Sequence, residues 1–127
     1  MTSVMNLHLK YRLWIAEMNA DINVLRILND YLHWFKSQRN NKNTESEIDT
    51  YEEHLLNLRK ELDALRHEMH ITKMKLAVLS KDKHAGMHDV KDIIKHKACK
   101  EHYKAFRKKF AVIKKDFKKL EQEEQHN

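Results

Sequence analysis

Residues 48–79 read IDTYEEHLLNLRKELDALRHEMHITKMKLAVL. Within them Ile48, Tyr51, Leu55, Leu58, Leu62, Leu65, Met69, Thr72, Leu76 and Leu79 recur at alternating intervals of three and four, the period of an apolar seam along an α-helix. The flanks are charged, so this helix has one apolar face and has to lay it against a neighbour. No glycine or proline interrupts it. The chain as a whole is almost as free of both, with one Gly and no Pro in 127 residues. Tight turns and β-corners consume these residues, so a sandwich, barrel or doubly wound sheet is excluded and an all-α architecture remains. With 41% apolar residues the chain has material for a core and does not read as a disordered tail.

Upstream, over about 3–38, Tyr11, Trp14, Met18, Asp21, Leu25, Leu28, Leu32 and Phe35 trace another seam, in which Asp21 is the only polar member. Leu13, Ala20, Val24, Ile27, Tyr31 and Trp34 form a second stripe, about 110° around the same helix. Helix one is apolar over more than half its circumference and is expected to be the most buried element. Arg39-Asn40-Asn41-Lys42-Asn43 reads as a joint, because Asn side chains compete with the helical backbone. Thr44 and Glu47 fit a capping box, and Glu45, Glu47 and Asp49 stand where the helix dipole favours anions. Helix two is therefore expected over about 45–84. Gly86 suits the position just past a helix end. A third helix is expected over about 87–124, with its clearest seam in Phe106, Phe110, Ile113, Phe117 and Leu120. Two short joints make successive helices antiparallel. The expectation is one domain, an elongated, coiled-coil-like, up-down-up three-helix bundle.

Three-helix packing needs one broad face per helix, yet helix one has two stripes. An uncovered second stripe would be a large apolar patch, uncommon on a monomer. Self-association through Val24, Ile27, Tyr31 and Trp34 is expected, most simply as a two-fold homodimer. The alternative is that helices two and three straddle helix one and cover both stripes.

The net charge of +6 divides into +3 over residues 1–44, −2 over 45–86 and +5 over 87–127. The basic last third, dense in Lys104, Arg107, Lys108, Lys109, Lys114, Lys115, Lys118 and Lys119, could meet an acidic protein partner or, non-specifically, nucleic acid. Stacking on single strands needs exposed aromatics, whereas Phe106, Phe110 and Phe117 all lie on the seam, so a solvated basic face is the simpler expectation. Cys99 is the only cysteine, which excludes an internal disulfide. The N-terminus lacks the pattern of a signal peptide, and no uncharged apolar run approaches the ~20 residues of a membrane span, so a soluble, reducing, cytoplasmic setting is expected.

Ten histidines raise the question of metal. His88, Asp92 and His96 recur every four residues on one helix, with His8 of helix one expected at a similar height. Such a mixed nitrogen and oxygen set would suit a transition metal ion. The fuller motifs fail. His67-Glu68-Met69-His70 places its second His one residue early for a zincin, and the one Glu-x-x-His runs from Glu123 to His126 in the tail. A single Gly rules out a phosphate-cradling loop, and no complete catalytic motif is present, so neither an enzyme nor a cofactor is expected. Asp21 is the most informative residue, because a buried carboxylate without a partner is costly. Counting heights along the helices puts His102 near it, in a row with Ile94, Ala98 and Phe106. A buried Asp21–His102 pair that fixes register is the expectation.

Trp14-Ile15-x-Glu17-Met18, Asp21-Ile22, Tyr103-Lys104-x-Phe106, Phe110 and Phe117 resemble short all-helical bacterial proteins of unknown function, in which a first helix bearing Trp, Glu and Asp precedes a Leu-rich second. The resemblance implies an all-helical fold and brings no activity, cofactor or site with it.

Overall fold

The computed structural model describes residues 3–38, 42–82 and 97–125, with side chains over 3–38, 46–82 and 100–122. They form three helices: α1 (Val4–Gln38), α2 (Lys42–Ser80) and α3 (Lys97–Gln125). The fold is all-α, as the residue spacing predicts. Ser3 caps α1, its Oγ accepting from the Asn6 N–H at 3.0 Å. The backbone of α2 is already helical at Lys42, so Thr44 lies inside the first turn rather than at its cap. The C-terminus of α2 tightens, with Lys81 and Asp82 N–H groups donating to the carbonyls of Val78 and Leu79 three residues back.

Cross-helix pairs fix the directions. Between α1 and α2, Lys36 meets Asp49 at 2.8 Å, His33 meets Glu52 at 3.5 Å, and Arg66 donates to Asn19 at 3.0 Å. The residue numbers in each pair add to 85, the mark of two antiparallel rods in constant register. Between α1 and α3, Trp14 meets Lys100, Asp21 meets Arg107 and Tyr31 meets Phe117, each pair 86 residues apart. These two helices run parallel. Lys109 of α3 reaches Glu61 of α2 at 3.4 Å, while Val112 and Ile113 lie beside His54 and Leu58, so α2 and α3 are antiparallel.

The core is one cluster to which all three helices contribute. Met18 and Leu32 of α1, Ile48, Leu62 and Leu76 of α2, and Phe106 of α3 are fully buried. Ile15 and Ile22 are also buried, although they fall outside the 3-4 seam of α1, and Trp14, which falls within it, is only half-buried. The reason is that α1 faces two neighbours, so its buried sector is wider than a single seam and turns towards α2. Met69 and Leu65 continue the α2 seam as the spacing predicts.

Leu62 is fully buried at the middle of α2, whereas Leu56, six residues before it, is 54% exposed. Leu62→Ala should cost about 2–5 kcal/mol in urea unfolding followed by helical circular dichroism. Leu56→Ala should stay within about 0.5 kcal/mol of the parent. Equal losses at the two positions would contradict this packing.

Candidate functional site

Two features of α1 stand apart from ordinary core packing, a buried carboxylate on its inner face and an uncovered apolar stripe on its outer face. Asp21 is the one buried charged residue among those described. Its carboxylate accepts two hydrogen bonds from Arg107 Nη1, at 2.8 and 2.9 Å, and one from the Tyr103 hydroxyl at 3.3 Å. Tyr103 and Arg107 are one helical turn apart on α3 and so grip the same acid from one edge. Burial, followed by the Asp21 and Glu17 carboxylates, pushes the Tyr103 hydroxyl well above its ordinary pKa. The hydrogen bond to Asp21 holds Arg107 above its ordinary value against the opposing effect of burial.

His102 is not the partner of Asp21. It is exposed, on the opposite edge of the α3 seam. That edge faces α2: Lys109, seven residues on from His102, pairs with Glu61. His102 is one residue from Tyr103 and five from Arg107, so the height expected for the Asp21 partner is right to within about a turn and a half, but the edge of the helix is the other one. An Arg at the rim of the seam, four residues from a Tyr, is the signal that points to the pair, since a guanidinium can bond a buried carboxylate while its far side stays in water.

On the outer face, Leu13 is 67% exposed, Ile27 57% and Trp34 56%. The described neighbours therefore do not straddle α1 and cover both stripes. Of the four residues expected there, Ile27 and Trp34 are the most open. Tyr31 spends part of its ring on Phe35 and Phe117, and Val24 is half-buried against the core. Leu9, also exposed, extends the stripe towards the N-terminus, and Ile27, Asp30, Tyr31 and Trp34 line a shallow hollow in it.

The basic residues of α3 are partly committed. Arg107 holds Asp21, Lys109 reaches Glu61, Lys104 pairs with Glu101 at 3.7 Å, and Lys114 lies over the Phe110 ring. Phe106, Phe110 and Phe117 are buried in the seam. Among the described residues no group of three or more His, Cys, Asp or Glu is arranged to hold a metal ion. His88, Asp92 and His96 lie outside the described residues, as does Gly86. His8 is half-buried, and its Nδ1 finds no hydrogen-bond partner among the described residues. No described helix is long and apolar enough to cross a membrane. Comparison with protein families, curated proteins and solved structures finds no significant match to this chain.

The Asp21–Arg107 pair is asymmetric, because the Asp21 side chain is 9% exposed and that of Arg107 43%. Arg107→Met strands the carboxylate and should cost about 2–4 kcal/mol, more than Asp21→Asn, which leaves a guanidinium free to reach water. His102→Ala should change stability by less than about 0.5 kcal/mol. Urea unfolding of the three variants and of the Asp21–Arg107 double-mutant cycle checks this, and a cycle without coupling would rule the pair out as a stabilising contact.

The raised Tyr103 pKa has a definite sign. Its contribution is fully present below the unfolded tyrosine value of about 10 and is lost as pH rises through the higher folded value. Between about pH 10 and 12 the parent should therefore lose more stability than Tyr103→Phe, which lacks the titrating hydroxyl. Parallel stability profiles over that window would show that burial of this hydroxyl does not count.

Proposed function

We propose that this chain is a structural or protein-interaction helical bundle that self-associates through the outward face of α1. The observation that supports this is the exposure of Leu13, Ile27 and Trp34 on one stripe of a helix whose opposite face is the core. A monomeric protein rarely leaves large apolar side chains in such a row, since burying each is worth about 1.5–3 kcal/mol. The row also has the spacing that helix pairing uses, with Leu13, Ala20, Ile27 and Trp34 seven residues apart. Two-fold pairing of identical chains is the simplest assembly that covers it.

Leu13 and Ile27 stand off the core, so charging them tests the face without breaking the fold. The parent chain should sediment as a dimer at tens of micromolar. Leu13→Glu combined with Ile27→Glu should sediment as a monomer with unchanged helical circular dichroism. A parent chain that is monomeric under those conditions would overturn the proposal.

A further inference from the structure

The outward face of α1 carries enough detail to set the direction and register of pairing, given the self-association proposed above. Leu13, Ala20, Ile27 and Trp34 form one series of that face, and Leu9, Ala16 and Asn23 precede the first three by four residues. All seven are exposed. The hollow beside them is lined by Ile27, Asp30, Tyr31 and Trp34. Those residues stand at i, i+3, i+4 and i+7, the four corners of the hole that receives a side chain from a facing helix.

We infer that α1 pairs with α1 of a second copy in antiparallel orientation, with Leu13 of each seated in the hollow of the other. Bulk along the stripe decides between the two directions. Large side chains stand at both ends, with Ala16 and Ala20 between them. Parallel pairing would set Ala16 on Ala16 and Ala20 on Ala20, leaving a gap between crowded ends. Antiparallel pairing about a two-fold axis near residues 21 and 22 sets Leu9 opposite Trp34, Ala16 opposite Ile27 and Ala20 opposite Asn23. The small Ala16 then meets the large Ile27, Ala20 meets Asn23 rather than a second alanine, and Leu13 comes over the middle of the hollow.

Charge agrees with this register. Arg12 and Asp30 are both exposed. The 18 residues between them are about five helical turns, so both lie on the same edge of α1. In an antiparallel two-fold pair each edge meets its own counterpart. Arg12 therefore comes beside the partner subunit's Asp30, and the symmetry makes the contact twice. Asn23 is the one uncharged polar residue of the stripe, and a single such residue fixes register in helix pairs.

Cysteine cross-linking separates the possibilities, using chains in which Cys99 is replaced by Ser. Leu9→Cys and Trp34→Cys, oxidised separately, should stay uncross-linked, and an equimolar mixture should give the mixed disulfide dimer. Cross-linking of each variant with itself would mean parallel pairing and would overturn this inference while leaving self-association standing. A dimer by sedimentation with no cross-link in any arm would overturn the register. A monomer by sedimentation would overturn both this inference and the proposal beneath it. Arg12→Asp should weaken the dimer about tenfold, because two attractive contacts become repulsive, and Asp30→Arg added to it should restore parent affinity. Failure of that restoration would remove the Arg12–Asp30 contact from the arrangement.

Discussion

Asp21 sits in the apolar face of α1, where an ionised carboxylate without partners would cost several kcal/mol. Its three hydrogen bonds all come from α3, and Tyr103 and Arg107 supply them from a single turn. Sliding α3 along α1 by one turn would take one of the two donors away from the acid and put the other in its place, so the pair could no longer grip it together. The same contact settles the rotation of α3, because Phe106 and Phe110 point into the core only when the Tyr103–Arg107 edge faces α1. Apolar seams alone tolerate such slips, since one leucine layer resembles the next. The polar contact distinguishes one register from its neighbours.

The exposed ion pairs between α1 and α2 do less. Lys36–Asp49 has both side chains open to solvent, where such pairs contribute about 0–1 kcal/mol, and the His33–Glu52 contact is long at 3.5 Å, with His33 open and Glu52 half-buried. Leu25, Leu32, Leu55 and Leu62 are what hold α1 against α2. At the end of the bundle near the α1–α2 joint, Tyr31, Phe35 and Phe117 form an aromatic cluster, with Phe35 and Phe117 stacked 6.1 Å apart. Tyr31, 44% exposed on the outer stripe, thus touches the core through its ring contacts with Phe35 and Phe117.

Much of this was legible in the residues. The α2 seam is buried at seven of the ten positions its spacing marks and half-buried at Tyr51, Thr72 and Leu79, and the isolation of Asp21 within an apolar row announces a buried polar contact. Its partner was not legible, because periodicity gives the face of a helix that is buried and not which neighbour lies along each edge of that face. His102 and Arg107 are five residues apart on opposite edges of the α3 seam, and the handedness of the bundle sets which edge meets α1. Ile15 and Ile22 escaped for a related reason. A seam of threes and fours describes contact with one neighbour, and α1 has two. The outer stripe was legible as apolar, while the division of Tyr31 and Val24 between core and surface depended on how closely α3 approaches.

The three helices are unequal in how far apart in sequence their contacts lie. The α1–α2 hairpin closes through a short joint, and Lys36 meets Asp49 only 13 residues away. The contact that seats α3 spans 86 residues. Loop-closure entropy makes the hairpin the unit that assembles first, and α3 the element that docks onto a surface already formed. The same inequality holds in the folded protein. Undocking α3 breaks its contacts with α1 and α2 and leaves the long α1–α2 interface intact, so it is the cheaper local opening. The outer stripe of α1 belongs to the hairpin, and most of it survives that opening.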